Sequence, residues 1–318
     1  MNLVKTLCKE AEKYAVSIEK TESGATLIDA GLESNGGFLA GEMVTEICLG
    51  GYGKAKTFPV QYGNIILPSV YVQTDYPALS TLASQFAGWQ IKAGEYSAIG
   101  SGPARALARK PKKLYEKLGY EEEADTAILV LETEEKPPET VIHEIAEKCK
   151  VSVENLFIIV FSTTSLAGST QVSGRIVETG LHKLEKLGLD PLTAKHAWGY
   201  APIIPLHPRS GEAMGRTNDA ILYGGIANYI VSYDDDEELE KIVKQAPSTS
   251  SKMMQEAREL AKKNPRFLEI YKEAGFDFYK IDPNIFAPAI VSINNLKTGK
   301  TFRAGSLDIP VMKESLGL

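Results

Sequence analysis

The sequence predicts an α/β protein of two domains, with a sheet that is partly parallel. Between residues 96 and 187, apolar runs with the composition of strands alternate with runs that have helical spacing. Such alternation is typical of crossover connections, in which a helix joins two parallel strands. A length of 318 residues is sufficient for two domains that each bury a core.

The N-terminal part of the chain predicts a helix followed mainly by strands. Residues 3–18 mix charged and apolar side chains at helical spacing. Three later runs are rich in Val, Ile and Tyr and lie between glycines, which is typical of strands. These runs cover residues 25–30, 41–49 and 65–73, and a short helix is expected after them at 76–86.

The middle of the chain has the most regular pattern. Proline and glycine indicate where its helices are interrupted, begin and end. Pro111 interrupts the first helix, Pro138 suits the start of the second, and Gly188 ends the third. Strands are expected at 96–99, 126–131 and 155–161, and helices at 103–118, 138–148 and 174–187.

The alternation is lost after Pro191. The expected elements there are strands at 203–204 and 221–233, helices at 237–245 and 252–273, and a hairpin of 289–294 with 301–303. The second of these helices is expected to break before Pro265, because the residue before a proline disfavours helix. We therefore divide the chain into a central α/β domain, residues 91–190, and an outer α/β domain formed by 1–90 and 191–318.

Composition limits the class of partner. Hydrophobic residues make up 43% and charged residues 24%, as in globular proteins, and the net charge of −6 argues against nucleic acid. No apolar run is long enough to span a membrane, and the N-terminus lacks the apolar core of a signal peptide. The three cysteines show no disulfide or metal-ligand spacing. We expect a cytoplasmic protein without nucleic-acid or membrane partners.

The turn Gly100–Arg105 is the first segment with a chemical signature. Its sequence, GSGPAR, joins a predicted strand to a predicted helix. Glycines let a ligand approach the backbone, and a helix N-terminus favours an anion. Arg105 can add two hydrogen bonds to a phosphate or a carboxylate. Two interpretations stay open: an anion-binding turn, or a connection whose glycines serve only its geometry.

A second signature follows the predicted strand 155–161. The next thirteen residues, 162–174, contain seven hydroxyl side chains and two glycines, at the end of the strand where open α/β sheets bind their ligands. Arg175 and Glu178 come next, three residues apart, so a helix places them on one face. They form either a surface ion pair of little energetic value or a positioned base with its counter-charge.

Other common site motifs are missing from the sequence. The four histidines have no metal-ligand spacing, and neither a Walker A sequence, nor a dinucleotide fingerprint, nor a nucleophile elbow occurs. We expect no metal site. Trp89 suits a core or a wall that stacks on a ring, and Lys92 points either to solvent or to a cleft. A nucleotide-dependent small-molecule phosphotransferase that uses Gly100–Arg105 remains the alternative function, although a magnesium-binding carboxylate and a nucleotide specificity element are not evident.

Several motifs together resemble methenyltetrahydromethanopterin cyclohydrolase. The similarity covers most of the chain in the order of the family. Its main motifs are GWQIK at 88–92, GSGPARALA at 100–108, SGRIVET at 173–179, TND at 217–219 and FDFYKIDPN at 276–284. The resemblance implies reversible addition of water to N5,N10-methenyltetrahydromethanopterin, which gives the N5-formyl compound in one-carbon metabolism and methanogenesis. It also implies a cytoplasmic homotrimer, a cleft between two α/β domains, and the pterin as a substrate coenzyme with no prosthetic group.

The resemblance also implies roles for individual residues. Arg175 and Glu178 match the catalytic pair of the family, and Lys92 matches a site lysine. The residues expected to bind the substrate are Gln90, Ser101, Gly102, Arg105, Ser173 and Thr179. Glu178 is the candidate base that takes a proton from water, with Arg175 beside it to favour the carboxylate form. A pterin-binding protein without activity is a further alternative, which retained binding without turnover would favour.

Overall fold

The computed structural model describes residues 1–318 and confirms the predicted α/β class. The chain forms two compact units. Unit 1 comprises Met1–Lys54 and Leu79–Gln171, and unit 2 comprises Ala55–Ala78 and Val172–Leu318. Each unit is organised around one mixed sheet of six strands.

Thirteen α-helices and one π-helix occur along the chain. The α-helices are α1 (Asn2–Lys9), α2 (Ala11–Tyr14), α3 (Phe38–Cys48), α4 (Ala104–Ala108), α5 (Lys112–Leu118), α6 (Glu139–Cys149), α7 (Leu166–Ser173), α8 (Ile176–Lys186), α9 (Ser210–Gly224), α10 (Asp236–Gln245), α11 (Lys252–Ala261), α12 (Phe267–Glu273) and α13 (Ile309–Leu316). The π-helix covers Ala78–Gln85.

Twelve strands form the two sheets. They are β1 (Ser17–Lys20), β2 (Thr26–Asp29), β3 (Gly53–Tyr62), β4 (Ile65–Thr74), β5 (Trp89–Ala93), β6 (Tyr96–Ser101), β7 (Ala127–Glu132), β8 (Leu156–Phe161), β9 (Ala194–Pro202), β10 (Ile226–Val231), β11 (Ile290–Asn295) and β12 (Thr301–Gly305).

The sheet of unit 1 has the order β1-β2-β8-β7-β6-β5. β2, β8 and β7 are parallel to one another, and the other pairs are antiparallel. Nearly every residue of β7 and β8 is buried, as expected for parallel strands covered on both faces. Their side chains share a core with α6, in which Leu129, Ile142 and Ile158 are at most 1% exposed.

The sheet of unit 2 has the order β12-β11-β10-β9-β4-β3. Only the β10–β11 pair is parallel, whereas β9 is antiparallel to both β10 and β4. Helix α8 packs on β9, β10 and β4, and α9 packs against α12 and α13. The sheet therefore supports the helix that begins after Arg175.

Most elements in the middle of the chain agree with the sequence prediction. The strands predicted at 126–131 and 155–161 are β7 and β8, and the helix at 138–148 is α6. The helix predicted from 103 is divided at Pro111 into α4 and α5. The predicted C-terminal hairpin is the antiparallel pair β11–β12.

Several predicted elements were wrong. Residues 41–48 lie in α3 and are not a strand, since a short buried apolar run does not distinguish the two. Residues 203–204 belong to no strand. Of the predicted strand 221–233, residues 221–224 are the end of α9 and residues 226–231 form β10. The helix predicted at 3–18 is divided into α1 and α2 and ends at Tyr14. The polar segment after β8 contains α7. β3 and β9 were not predicted.

The two units also divide the chain differently from the predicted domains, 91–190 and its flanks. Strand β2 pairs with β8, which brings the N-terminal residues into unit 1 with the central strands. Helix α8 packs on β9 and β10, which brings residues from Val172 onward into unit 2. Pairing between distant strands sets this division, and local composition carries no signal for it.

Candidate active site

The predicted catalytic pair lies in unit 2 at the start of α8. Arg175 is the residue that precedes the helix, and Glu178 lies in its first turn. The Arg175 Nη1 and Glu178 Oε2 atoms are 4.0 Å apart, and the two side chains are 8% and 6% exposed. The interpretation as a surface ion pair is therefore wrong. Burial strengthens the attraction between the charges, and the helix N-terminus also favours a carboxylate.

The rest of α8 is fixed by burial in unit 2. Ile176, Val177, Leu181 and Leu184 are all 0% exposed, so the apolar face of the helix lies in the core. This packing gives the pair a rigid support, because moving the first turn would require repacking these side chains.

Tyr229 of β10 contacts the turn that carries Glu178. Its hydroxyl donates a hydrogen bond to the Val177 carbonyl at 2.7 Å. Burial and the charge of Glu178 raise the pKa of Tyr229 well above its usual value, so the hydroxyl keeps its proton. Sequence reasoning missed Tyr229, which lies 51 residues beyond Glu178 in a strand that reads as ordinary core.

The hydroxyls of Ser173 and Thr179 donate hydrogen bonds to backbone carbonyls of unit 2. The Ser173 hydroxyl donates to the Pro202 carbonyl at 2.8 Å, and the Thr179 hydroxyl donates to the Arg175 carbonyl at 2.9 Å. Both residues are buried. Their contacts hold the backbone on either side of Arg175, and substrate binding by them stays a prediction.

Gln90 and Lys92 lie on β5 in unit 1. Side chains alternate along this strand, so both residues are on its exposed face while Trp89 and Ile91 point into the core. Trp89, 4% exposed, is thus a core residue. An exposed lysine and glutamine two residues apart present their polar groups in the same direction.

The turn Gly100–Arg105 has a different geometry from the predicted anion site. Helix α4 has only five residues, and Arg105 is 0% exposed. Its Nη1 donates to the carbonyls of Leu82 and Ser84 at 3.2 and 3.0 Å, and its guanidinium lies over the rings of Phe86 and Tyr115. These contacts tie the guanidinium to the π-helix, and binding of an anion by Arg105 stays a prediction.

Gly102 and Gly88 have separate reasons to be glycine. Gly102 has a φ of +99°, which L side chains rarely adopt. A Cβ at Gly88 would lie 2.8 Å from Nη2 of Arg105 and 2.7 Å from Pro111. Arg105 of the GSGPAR motif occupies the space beside Gly88 of the GWQIK motif, so the two motifs are in contact within unit 1.

Ser101 belongs to a buried polar cluster in unit 1. Its Oγ lies 3.7 Å from the Cys48 Sγ, which also accepts a hydrogen bond from Gln171 Nε2 at 3.3 Å. The Ser84 hydroxyl donates to the Cys48 carbonyl at 2.6 Å. Sequence reasoning missed this cluster, because its members come from four separate segments.

Polar groups do collect at the carboxyl end of the parallel strands, as predicted for β8. The Ser162 hydroxyl donates to Glu134 Oε1 at 3.0 Å, and burial raises the pKa of Glu134. Asp29, at the end of β2, accepts backbone N–H groups from residues 31–34. Although burial opposes it, this set of donors lowers the pKa of Asp29. No pattern in the sequence had singled out Asp29.

Neither a metal-binding cluster nor a membrane-spanning helix is found in the structure. No group of three or more His, Cys, Asp or Glu side chains is arranged to hold a metal ion. None of the helices combines the length and the apolar character needed to cross a membrane.

The fold and the pair at α8 define an α/β protein whose buried carboxylate, held beside an arginine, is suited to proton transfer. A family model described as "Cyclohydrolase (MCH)" matches residues 1–316. The chain therefore belongs to the MCH cyclohydrolase family. This confirms the predicted family and the predicted enzyme class.

Individual relatives match over more than nine tenths of their length. The methenyltetrahydromethanopterin cyclohydrolase of Methanocaldococcus jannaschii is 44% identical over 100% of this chain and 96% of its own. The proteins of the same name from Methanothermobacter marburgensis and Methanococcoides burtonii are 43% and 42% identical. Those matches cover 99% and 96% of this chain and 97% and 93% of the relatives.

Proposed function

We propose that this cyclohydrolase adds water reversibly to N5,N10-methenyltetrahydromethanopterin and forms N5-formyltetrahydromethanopterin, with Glu178 as the general base. The family match over residues 1–316 and the names of the full-length relatives support the substrate. The buried Arg175–Glu178 pair carries the mechanistic part of the proposal. The pterin is then a substrate coenzyme in one-carbon metabolism and methanogenesis, in the cytoplasm.

The chemistry of the methenyl bridge suits a single carboxylate. The bridge carbon is part of a cation delocalised over two nitrogens, so it accepts a water oxygen directly. Glu178 takes one proton of that water as the C–O bond forms, which leaves a neutral carbinolamine. Glu178 then returns the proton to the N10 atom as its C–N bond breaks, and the remaining hydroxyl becomes the formyl oxygen once its own proton is released to solvent.

Arg175 has an electrostatic role in this scheme. Its guanidinium, 4.0 Å from the carboxylate, favours the charged form of Glu178 before water attacks. It also limits the directions in which the carboxylate can point, which lowers the entropic cost of the step.

We propose substrate-binding roles for the residues that the family resemblance implies. Lys92 and Gln90, on the exposed face of β5, can donate hydrogen bonds to the attacking water, to the developing oxygen or to the pterin. Gly102, whose positive φ shapes the turn after β6, remains a candidate on the family resemblance. Ser101, Ser173 and Thr179 remain candidates through their oxygen acceptors.

A substitution of Glu178 tests the proposal. We expect Glu178→Gln to lower kcat on the order of 10²–10⁴-fold, because the amide cannot take the proton. The matched control is Glu185→Gln on the same helix. It removes an equal charge about two helical turns from Glu178. The measurement is the loss of the methenyl chromophore, with circular dichroism to verify the fold. If Glu178→Gln turned over at the rate of the control, Glu178 would not be the base.

The phosphotransferase alternative has lost its main support, because Arg105 is held by carbonyls and rings inside unit 1. Saturable binding of ATP that depends on magnesium would restore it. Pterin binding without turnover of any methenyl pterin would instead favour a binding protein.

We also propose that the chain forms a homotrimer. Aromatic side chains on the sheet of unit 2, one exposed and three half-buried, support a subunit contact of some kind, since such residues are enriched at interfaces. Phe58, Tyr71, Trp198 and Tyr200 form a chain of ring contacts there, with centroids 5.9–6.3 Å apart. One chain has a mass of 34.6 kDa, and sedimentation equilibrium should give three times that mass. A monomer at micromolar concentration would contradict the proposal.

A further inference from the structure

Tyr229 contacts α8 at a place where the backbone geometry determines the position of Glu178. Its hydroxyl donates to the Val177 carbonyl, and the Leu181 N–H interacts with the same hydroxyl. Val177 and Leu181 are four residues apart, so they are the carbonyl and N–H that an α-helix joins to each other. Tyr229 therefore contacts both members of one helical hydrogen-bond pair, in the turn that contains Glu178.

Gly180 makes room for this contact. A Cβ at Gly180 would lie 2.1 Å from the Tyr229 hydroxyl oxygen and 3.1 Å from the ring carbon that carries it. Any other residue would have to displace the hydroxyl, because α8 is packed against β10 and Tyr229 is 1% exposed. The SGRIVETG segment thus encodes both the catalytic pair and the gap that admits the tyrosine.

The contact acts on Glu178 through one planar group. The Val177 carbonyl and the Glu178 N–H belong to the same peptide unit, so the direction of the carbonyl fixes the plane from which the Glu178 side chain starts. Burial, and after it the charge of Glu178, raise the pKa of Tyr229. A buried, protonated hydroxyl is a fixed donor that does not change with pH near neutrality.

We infer that Tyr229, with Gly180, is a positioning residue for Glu178 that sets the geometry of the first turn of α8 for proton transfer. The inference rests on the proposed role of Glu178 as the base. Tyr229 touches the backbone of the helix, and its effect reaches the reaction only through the glutamate. Loss of the hydroxyl leaves the Val177 carbonyl free to turn toward Leu181 alone, which moves the carboxylate by a fraction of an ångström.

The test is Tyr229→Phe, which keeps the ring and removes the hydroxyl. We expect kcat to fall about tenfold while KM changes less than about twofold, because small displacements of a catalytic group affect the chemical step. The matched control is Tyr223→Phe. Tyr223 is equally buried in unit 2 and donates to the Pro265 carbonyl, away from α8. This control should lose stability and keep kcat within about twofold.

Two further variants complete the test. Tyr229→Phe combined with Glu178→Gln should have the activity of Glu178→Gln alone, since the two residues act as one unit. Gly180→Ala should lower kcat as Tyr229→Phe does, because it displaces the same hydroxyl without removing it. Rates are measured at temperatures at which circular dichroism shows folded protein.

The outcomes separate the two proposals. Activity retained by Glu178→Gln would defeat the general-base proposal. Loss of activity in Glu178→Gln together with wild-type kcat in Tyr229→Phe would defeat only the positioning role. Equal losses of kcat in Tyr229→Phe and Tyr223→Phe would do the same, because the effect would then be one of general stability.

Discussion

At the level of single residues, Arg105 shows how a charged side chain can be structural. The sequence places it after two glycines and a proline, where an anion-binding arginine is a reasonable prediction. In unit 1 it instead satisfies the carbonyls of Leu82 and Ser84. Those carbonyls come from the π-helix, about twenty residues earlier, so no local pattern around Arg105 indicates them.

A lysine at this position tests the structural role. Arg105→Lys keeps the charge and loses the planar group that bonds two carbonyls and lies over two rings. We expect unfolding free energy to fall by about 2 kcal/mol, because hydrogen bonds to a buried charged group are lost. The KM for the pterin should stay within about twofold. Chemical denaturation measures the first and steady-state kinetics the second. About a tenfold rise in KM with unchanged stability would show that Arg105 binds the substrate.

At the level of elements, Asp219 joins three helices of unit 2. It lies on α9, accepts the Phe267 N–H at the start of α12 at 2.7 Å, and accepts the Ser315 hydroxyl of α13 at 2.7 Å. Burial raises the pKa of Asp219 to about 7, although both donors oppose that shift. The motif TND at 217–219 lies in the middle of helix α9.

The raised pKa makes stability depend on pH. Between about pH 4 and pH 7 the folded state keeps a proton on Asp219 that the unfolded state has released. The stabilisation of the folded state by this proton is therefore complete below the pKa that Asp219 has in the unfolded chain. It is lost as the pH rises through about 7. Asp219→Asn removes this dependence, because its amide does not titrate. We expect the Tm of the wild type, relative to Asp219→Asn, to be higher at pH 5 than at pH 7.5. A constant difference across this range would contradict the assignment.

The elements also show what sequence patterns can predict. β7 and β8 are unbroken apolar runs bounded by polar residues, and parallel strands need such runs. Helix α3 is apolar on most sides, so its pattern matched a strand equally well. Its position depends on Gly41, where a Cβ would lie 2.4 Å from that of Thr170, and this contact is made with a distant helix.

At the level of the whole molecule, the candidate site was predicted in part. Arg175 and Glu178 were identified from their spacing and the preceding polar loop, and the family resemblance gave their roles. Tyr229 and the partners of Arg105 could not be identified in this way, because only strand pairing and helix packing bring them to these side chains. The units differ from the predicted domains for the same reason.

The proposed reaction of this chain is the hydration of a methenyl pterin with Glu178 as the base. The most direct measurement is the rate at which the purified wild-type protein removes the chromophore of methenyltetrahydromethanopterin, compared with Glu178→Gln and with methenyltetrahydrofolate as the alternative pterin. We expect rapid loss of the chromophore with the wild type and the methanopterin, and a rate at least about a hundredfold lower with Glu178→Gln. Loss of the chromophore at the uncatalysed rate with the wild-type protein would contradict it.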